Sequence, residues 1–197
     1  IGTEPDFDVW GWRSFFETEI AGVAGNYDFF KVSYINAIYF PAYSKGTFKL
    51  RGDFRFIVPF GKTDKFHIPY SERFFLGGEN TVRGYKNFLL GPVVELADAQ
   101  GVLKSTQTPY GGISMGLLSW EYNQEIFKML DLFAFFDIGS VEFAIFNLDH
   151  IRASTGVGAR LDIGNRLPIT LGWGVPLNKQ DRHKKWQKFF FSMGGQF

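Results

Sequence analysis

The feature that most constrains the fold of this chain is a strict two-residue alternation of apolar and polar side chains. In residues 47–60, TFKLRGDFRFIVPF, one set of alternate positions holds mainly phenylalanine, leucine and valine, whereas the other holds mainly lysine, arginine and aspartate. Residues 151–163, IRASTGVGARLDI, show the same arrangement. Because successive side chains of a β-strand point to opposite faces, both segments predict strands with one oily face and one charged face.

Similar segments recur along the whole chain, and no Pro-rich or Ser-rich linker divides it, so we predict one unit of about eight strands. The composition agrees, because 23 Gly argue against long helices and 24 Phe require a large apolar surface. No apolar run reaches the roughly 18 residues of a transmembrane helix, so a membrane-spanning chain would cross with strands. The predicted strands lie at about 13–18 or 13–20, 29–40, 47–60, 112–122, 129–138, 151–163, 168–177 and 187–197.

The connections between these strands alternate in length, which is typical of transmembrane β-barrels. Counting back from the C-terminus, NKQDRHKK is long, GNR is short, SVEFAIFNLDH is long and NQEIFK is short. We therefore expect the oily faces to contact lipid and the charged faces to line a wet lumen. Strands of a soluble sandwich or ligand-binding barrel also alternate, but faces as charged as these do not suit a small dry core. Aromatic residues near strand ends, which suit interfacial girdles, are Tyr39, Phe40, Trp120, Tyr122, Trp173 and Trp186.

The composition excludes several kinds of chemistry. The chain has no Cys, so disulfides, thiolate nucleophiles and zinc-thiolate sites are ruled out, and its three histidines lack metal-ligand spacing. We expect no metal site, no cofactor and no catalytic residue. A net charge of +1 gives no reason to expect a nucleic-acid partner. Asp149 and His150 leave open a hydrolase at a barrel rim, although no nucleophile accompanies them.

One connection, at about residues 61–111, is far longer than the others. It contains SERFFLGGENTVRGYKNFLLGP, which resembles the sixth extracellular loop of the BamA-type outer-membrane assembly factors. The hallmark of that family is the tetrad Val-Arg-Gly-Phe/Tyr, matched here by Val82, Arg83, Gly84 and Tyr85. Tyr85 stands where many members have Phe, and its hydroxyl needs a hydrogen-bond partner. The flanking residues that fit the BamA-type version are Gly77, Gly78, Thr81, Gly91 and Pro92.

The resemblance covers essentially the whole chain and implies a barrel of sixteen strands, with this loop folded into the lumen. It also implies that Arg83 docks against acidic residues of the inner wall, which by position are Glu121 in SWEY and Asp137 in FFDIG. The alternation independently assigns these acids to the polar face, since Asp137 is out of phase with Phe136 and Ile138. An arginine between two carboxylates in a semi-enclosed lumen forms strong, charge-assisted hydrogen bonds.

The last segment, FFFSMGGQF, is an alternating strand that ends in an aromatic residue, similar to the sorting signal of outer-membrane proteins. In the family this strand forms a weak seam with the first barrel strand, and the seam opens to template incoming substrate strands. We expect the two glycines to weaken packing at the seam. The alternative is an ordinary closing strand that happens to end in Phe. The predicted seam residues are Phe189, Phe191, Gly194, Gly195 and Phe197.

The resemblance implies an outer-membrane protein of the bacterial surface antigen superfamily that catalyses folding and insertion of β-barrel proteins without enzymatic chemistry. Residues 1–197 would form the C-terminal half of the barrel, without its first strands and periplasmic POTRA repeats. The open edges would be satisfied by a second copy, by distorted closure or by strands of a larger chain.

The expected partners are outer-membrane lipid, unfolded β-barrel substrates and, through the POTRA repeats, assembly-complex lipoproteins. Two alternatives are a two-partner secretion-type polypeptide exporter and a small stand-alone barrel that acts as an adhesin or enzyme.

Overall fold

Apart from one 3-10 turn, the regular secondary structure of the described residues is β-strand. The computed structural model describes residues 10–22, 25–97, 103–144, 150–163, 167–178 and 186–194. No helix in these ranges is long and apolar enough to cross a membrane. The strands are β1 (Gly11–Ala21), β2 (Phe29–Ala42), β3 (Gly46–Pro59), β4 (Val93–Ala97), β5 (Leu103–Pro109), β6 (Ser114–Phe127), β7 (Leu130–Glu142), β8 (Arg152–Ile163), β9 (Leu167–Pro176) and β10 (Phe189–Met193).

Eight of these strands form one antiparallel sheet in the order β1-β2-β3-β6-β7-β8-β9-β10, and β4 pairs with β5 in a separate hairpin. Strands that follow one another along the chain are neighbours in the large sheet, except that β3 pairs with β6 across the long connection. Within the described ranges, β1 and β10 are the two ends of this sheet. The prediction of an all-β antiparallel fold with about eight strands is confirmed, and the other half of a sixteen-stranded barrel stays a prediction.

The two faces of the sheet differ as the alternation predicted. In β3, Leu50 and Phe54 are exposed on the outer face, whereas Asp53 and Ile57 are buried on the inner face. The outer face is therefore apolar along its length, as a lipid-facing surface requires. Its exposed large side chains in the later strands are Leu118, Trp120, Leu132, Phe136, Val157, Leu161, Leu171, Trp173, Val175, Phe189 and Phe191.

Two strands run further than the alternation indicated. The pairing of β6 with β7 continues to Phe127 opposite Leu130, with a bulge between Glu125 and Phe127, so most of NQEIFK is strand rather than turn. At the other end, β7 continues to Glu142, which pairs with Ser114. Polar residues interrupt the apolar pattern at these ends, but backbone pairing continues because polar side chains are tolerated in the lumen and near the aqueous phase.

The long connection between β3 and β6 folds onto the inner face of the sheet. It contains a 3-10 turn at Tyr70–Glu72 and the β4–β5 hairpin, neither of which the alternation predicted. Part of the inner face is consequently a dry core between loop and sheet rather than a wet, charged wall. The buried residues of this core are Phe29, Ile57, Ile68, Phe74, Leu76, Val82, Tyr85, Leu90, Ile113, Met115, Leu117 and Val141.

Candidate functional site

Two consecutive glycines reverse the loop just before the tetrad. Gly77 and Gly78 have φ values of 105° and 102°, a region that residues with a Cβ rarely adopt. Thr81 closes the turn, since its Oγ1 accepts a hydrogen bond from the N–H of Gly77 at 2.9 Å. The arms on either side are also bonded, because the N–H of Leu90 donates to the carbonyl of Leu76 at 3.0 Å. The tetrad therefore lies in a closed loop with a defined backbone.

Arg83 forms a bidentate ion pair with Asp137 of β7. Its Nε donates to Oδ2 and its Nη2 donates to Oδ1, both at 2.8 Å. The backbone N–H of Arg83 also donates to Asp137 Oδ2, at 3.1 Å. Arg83 is 3% exposed and Asp137 is 0% exposed, so the pair is shielded from water. Asp137 thus fixes both the side chain and the main chain of the tetrad.

Glu121 of β6, which is 4% exposed, binds the other side of the guanidinium. Arg83 Nη1 donates to Glu121 Oε2, and Arg160 Nη2 of β8 donates to Glu121 Oε1 at 3.3 Å. Lys49 lies directly opposite Glu121 in the register of β3 with β6. Glu121 therefore shares its charge between a loop cation and a cation of the wall.

A hydroxyl and an aromatic ring complete the surroundings of Arg83. Ser119 Oγ accepts from Arg83 Nη2 at 3.2 Å and donates to Asp137 Oδ1 at 2.6 Å. The guanidinium carbon lies 3.8 Å from the ring centroid of Phe135, which is a cation–π contact. Burial lowers the pKa of Arg83, but Asp137 and Glu121 raise it by more, so the pKa lies above its ordinary value. The guanidinium is therefore a permanent cation at this site.

The second half of the tetrad contacts β8 and β9. Gly84 has a φ of 89°, and a Cβ at this position would lie 3.0 Å from the carbonyl carbon of Gly174 in β9. Tyr85 is buried, and its hydroxyl lies 3.3 Å both from the carbonyl oxygen of Ala153 and from Oδ1 of Asn178. The hydroxyl of Tyr85, which the sequence left in need of a partner, has two acceptors within reach.

A second ion network, on β3, holds the loop just before the tetrad. The buried carboxylate of Asp53 accepts from Arg55 Nε at 2.7 Å and from Arg51 Nη2 at 3.2 Å. Arg51 Nη1 also donates to the carbonyl of Asn80, at 3.3 Å. The loop is therefore hydrogen-bonded to β3 on one side of Arg83 and packed against β9 on the other.

Arg73 holds the base of the loop together. Its guanidinium donates to the carbonyl oxygens of Phe66 at 2.9 Å, Ile68 at 3.0 Å and Tyr110 at 3.1 Å. Its Cζ also lies 4.3 Å from the ring centroid of Tyr110. Because Tyr110 belongs to the returning arm, Arg73 ties the start of the connection to its end.

Three of the five predicted seam residues, Phe189, Phe191 and Gly194, are described and lie at the end of the sheet. Phe189 and Phe191 are exposed on the outer face of β10. Gly194 follows with a φ of 113° and open space where a Cβ would be. Gly195 and Phe197 lie outside the described residues.

The two described histidines, His67 and His150, each pair with one carboxylate. His67 Nδ1 lies 2.8 Å from Asp64 Oδ1, and His150 Nδ1 lies 2.8 Å from Glu142 Oε1. In the part of the chain that the structure describes, no group of His, Asp and Glu could hold a metal ion. Asp149, the partner considered for a rim hydrolase, is outside that part.

Sequence reasoning named Arg83, Glu121 and Asp137, which the structure brings together, but it missed Ser119 and Arg160. Ser119 lies opposite Asp137 in the register of β6 with β7, so a correct register would have indicated it. Arg160 belongs to the polar face of its segment, but alternation alone does not tell which carboxylate it meets two strands away.

Known proteins share these features. Residues 10–197 match the Omp85 superfamily domain. A SAM50-like protein of Drosophila melanogaster is 28% identical over 137 residues, which cover 66% of this chain and 28% of that protein. The crystal structure of BamA from Haemophilus ducreyi lacking POTRA domains 1–3 shares the fold, with a TM-score of 0.76 and 16% identity over 93% of this chain and 38% of that one. The chain thus spans well under half the length of either protein. Because the family domain matches nearly the whole chain, the chain belongs to the Omp85 superfamily and is an outer-membrane β-barrel protein.

Proposed function

We propose that the chain forms the C-terminal part of the barrel of an assembly factor that folds and inserts β-barrel proteins into the outer membrane. The observation that carries the proposal is the loop lock, by which we mean the buried contacts of Arg83 with Asp137 and Glu121. These contacts hold the long loop on the inner wall, close to the strand that ends the sheet. The proposed reaction needs no covalent chemistry and no cofactor.

The seam in this mechanism is formed by β10. Its outer edge offers backbone N–H and C=O groups to an incoming strand, which is the usual way that an extended segment adds to a sheet. In the described part of the chain, β10 pairs with β9 through the five residues Phe189–Met193. The proposed mechanism also includes local thinning of the membrane at this edge. Substrate strands would be templated on this edge and then released into lipid.

The loop lock would keep the wall next to the seam stiff while β10 exchanges partners. Breaking one side of a buried ion pair leaves an uncompensated charge, which costs about 3–5 kcal/mol. A loop held this firmly stays docked while the weaker edge of the sheet opens.

We propose that these residues are part of a longer polypeptide. The chain spans 28% of the SAM50-like protein and 38% of the BamA chain. We take residues 1–197 as the C-terminal part of the barrel domain, with the inward-folded loop at 61–111, and assign the first strands and the POTRA repeats to the rest of the protein. The partners would be outer-membrane lipid at the apolar face, unfolded β-barrel proteins at β10 and assembly lipoproteins at the POTRA repeats.

A two-partner secretion-type exporter is the second candidate, and the inner face of β3 favours it. Lys49, Arg51 and Arg55 outnumber the one carboxylate of this face, Asp53, which pairs with both arginines, so an unfolded polypeptide would meet a polar wall of net positive charge once the loop is undocked. Five POTRA repeats in the full-length protein would support assembly, whereas two would favour export.

The test is replacement of the native protein by an Arg83→Ala variant in cells that depend on it. We expect impaired growth and accumulation of unfolded outer-membrane proteins, partly restored when Arg83→Asp is combined with Asp137→Arg. Loss of one secreted polypeptide with normal barrel insertion would instead support export. Wild-type insertion in the Arg83→Ala strain would contradict the role of the loop lock.

A further inference from the structure

The tip of the loop pairs through its backbone with the segment that leads into β10. Tyr85 and Trp186 form an antiparallel β-bridge. The N–H of Gln187 donates to the carbonyl of Gly84 at 2.9 Å. The Trp186 side chain packs against the same dry core that contains Tyr85. The loop therefore behaves as a short partner strand for residues 186 and 187.

The segment changes its partner immediately afterwards. The carbonyl of Lys188 accepts from the N–H of Gly174 in β9 at 2.7 Å, and from Phe189 onward the chain pairs with β9 in regular register. Gln187 is therefore the last residue bonded to the loop, and Lys188 is the first bonded to the sheet. The start of β10 is the point at which the chain passes from one partner to the other.

Gly174 lacks a side chain, and this allows the backbone of the loop tip to approach β9 closely. A Cβ at Gly174 would lie 2.8 Å from the backbone nitrogen of Gly84 and 2.9 Å from its Cα. These are backbone atoms, so the contact cannot be relieved by rotation of a side chain. Any larger residue at position 174 would displace the loop tip from β9.

We propose that Gly174 and the backbone of Gln187 are positioning elements that let the docked loop set the register of β10. A slip of β10 by two residues would leave every side chain on its present face, so alternation alone does not fix the register. The bond from Gln187 to Gly84 does, because a slipped strand would carry that N–H away from its acceptor. This inference rests on the proposed function, because it takes β10 as the seam strand. It implies that a substrate strand templated on β10 takes a register that the loop has set.

The register can be measured by oxidation of thiol pairs in the full-length protein in outer membranes. Leu171 lies opposite Phe191, and both are exposed on the outer face. Leu171→Cys with Phe191→Cys reports the native register, and Leu171→Cys with either Phe189→Cys or Met193→Cys reports a two-residue slip in one direction or the other. This chain has no cysteine of its own that would compete.

Gln187→Pro removes the N–H that bonds to Gly84, and Gln187→Ala keeps it as the matched control. We expect wild type and Gln187→Ala to give mainly the native crosslink, with the same small ratio of slipped to native crosslink. In Gln187→Pro we expect the ratio of slipped to native crosslink to rise about two- to tenfold, the effect of one lost hydrogen bond. Equal ratios in Gln187→Pro and Gln187→Ala would overturn the proposal.

Gly174→Ala decides the question if Gln187→Pro does not accumulate. Its control is Gly116→Ala, because a Cβ at Gly116 would lie at an ordinary 3.6 Å from the Phe54 ring. We expect the ratio of slipped to native crosslink to rise in Gly174→Ala and to keep its wild-type value in Gly116→Ala, and an unchanged ratio in both would refute the coupling. The crosslinks do not depend on assembly activity. A negative crosslinking result would therefore not contradict the proposed function, and a negative complementation result would not prevent measurement of the register of β10.

Discussion

Asp137 should matter more to loop docking than Glu121, although both carboxylates bind Arg83. Asp137 accepts two bonds from the guanidinium, one from the backbone N–H of Arg83 and one from Ser119. Glu121 accepts one bond from Arg83 and is also paired with Arg160. Neutralising Asp137 therefore removes most of the attachment, whereas neutralising Glu121 leaves the bidentate pair in place.

The magnitudes follow from burial. Asp137→Asn breaks a fully buried pair and should weaken docking by about 3–5 kcal/mol. Glu121→Gln removes one hydrogen bond between charged groups of the loop and wall, worth about 1.5–3 kcal/mol. The difference of about 1.5–2 kcal/mol corresponds to a factor of about 10–30 in the ratio of docked to undocked loop.

Hydrogen exchange of the backbone amides in residues 79–88 measures this ratio in the full-length protein, because local opening sets the exchange rate. The control is Glu125→Gln, since Glu125 pairs with the mostly exposed Lys45 and such pairs contribute about 0–1 kcal/mol. We expect the amides to exchange fastest in Asp137→Asn and more slowly in Glu121→Gln. The exchange rate should be slowest, and equal, in Glu125→Gln and wild type. If Glu121→Gln accelerates exchange as much as Asp137→Asn, the assignment of the main attachment to Asp137 is wrong.

Three further substitutions test the surroundings of the loop lock. Arg83→Lys keeps the charge but not the planar fork, so it should show most of the complementation defect of Arg83→Ala. Phe135→Leu removes the cation–π contact and should lower the stability of loop docking by about 0.5–2 kcal/mol, read from the same exchange measurement. Arg73→Ala frees three loop carbonyls and should lower the temperature at which the barrel loses its heat-resistant mobility on gels, while Lys62→Ala on the same connection should not.

The sheet could be predicted from the sequence because lipid imposes a pattern on every strand that faces it. The alternation in residues 47–60 and 151–163 reappears as β3 and β8 with shifts of at most two residues at their ends. The β4–β5 hairpin was missed because it belongs to the loop and is not part of the large sheet, so no lipid-facing side imposes the pattern on it. Strand ends were misjudged where polar residues near the aqueous phase interrupted the apolar series.

The site was predictable only in part, for a similar reason. Arg83 was singled out by its motif, and the alternation assigned Glu121 and Asp137 to the polar face. Arg160 could not be assigned to Glu121, because the contact depends on the registers of two strand pairs. Gly174 carried no signal at all, since its importance depends on where a loop from elsewhere in the chain passes over β9.

The attachments of the loop extend across much of the described sheet. Asn80 is bound to β3, Arg83 to β6 and β7, and Gly84 contacts β9, so one short segment joins strands that are not neighbours in the sheet. A twisted sheet with two free ends can change its curvature by small rotations between adjacent strands. Because this loop segment is attached at β3 and in contact with β9, it opposes such rotations between the strands from β3 to β9. The loop lock would therefore hold the curvature of this part of the wall through contacts that all lie within this chain, whichever strands pair with β1 and β10.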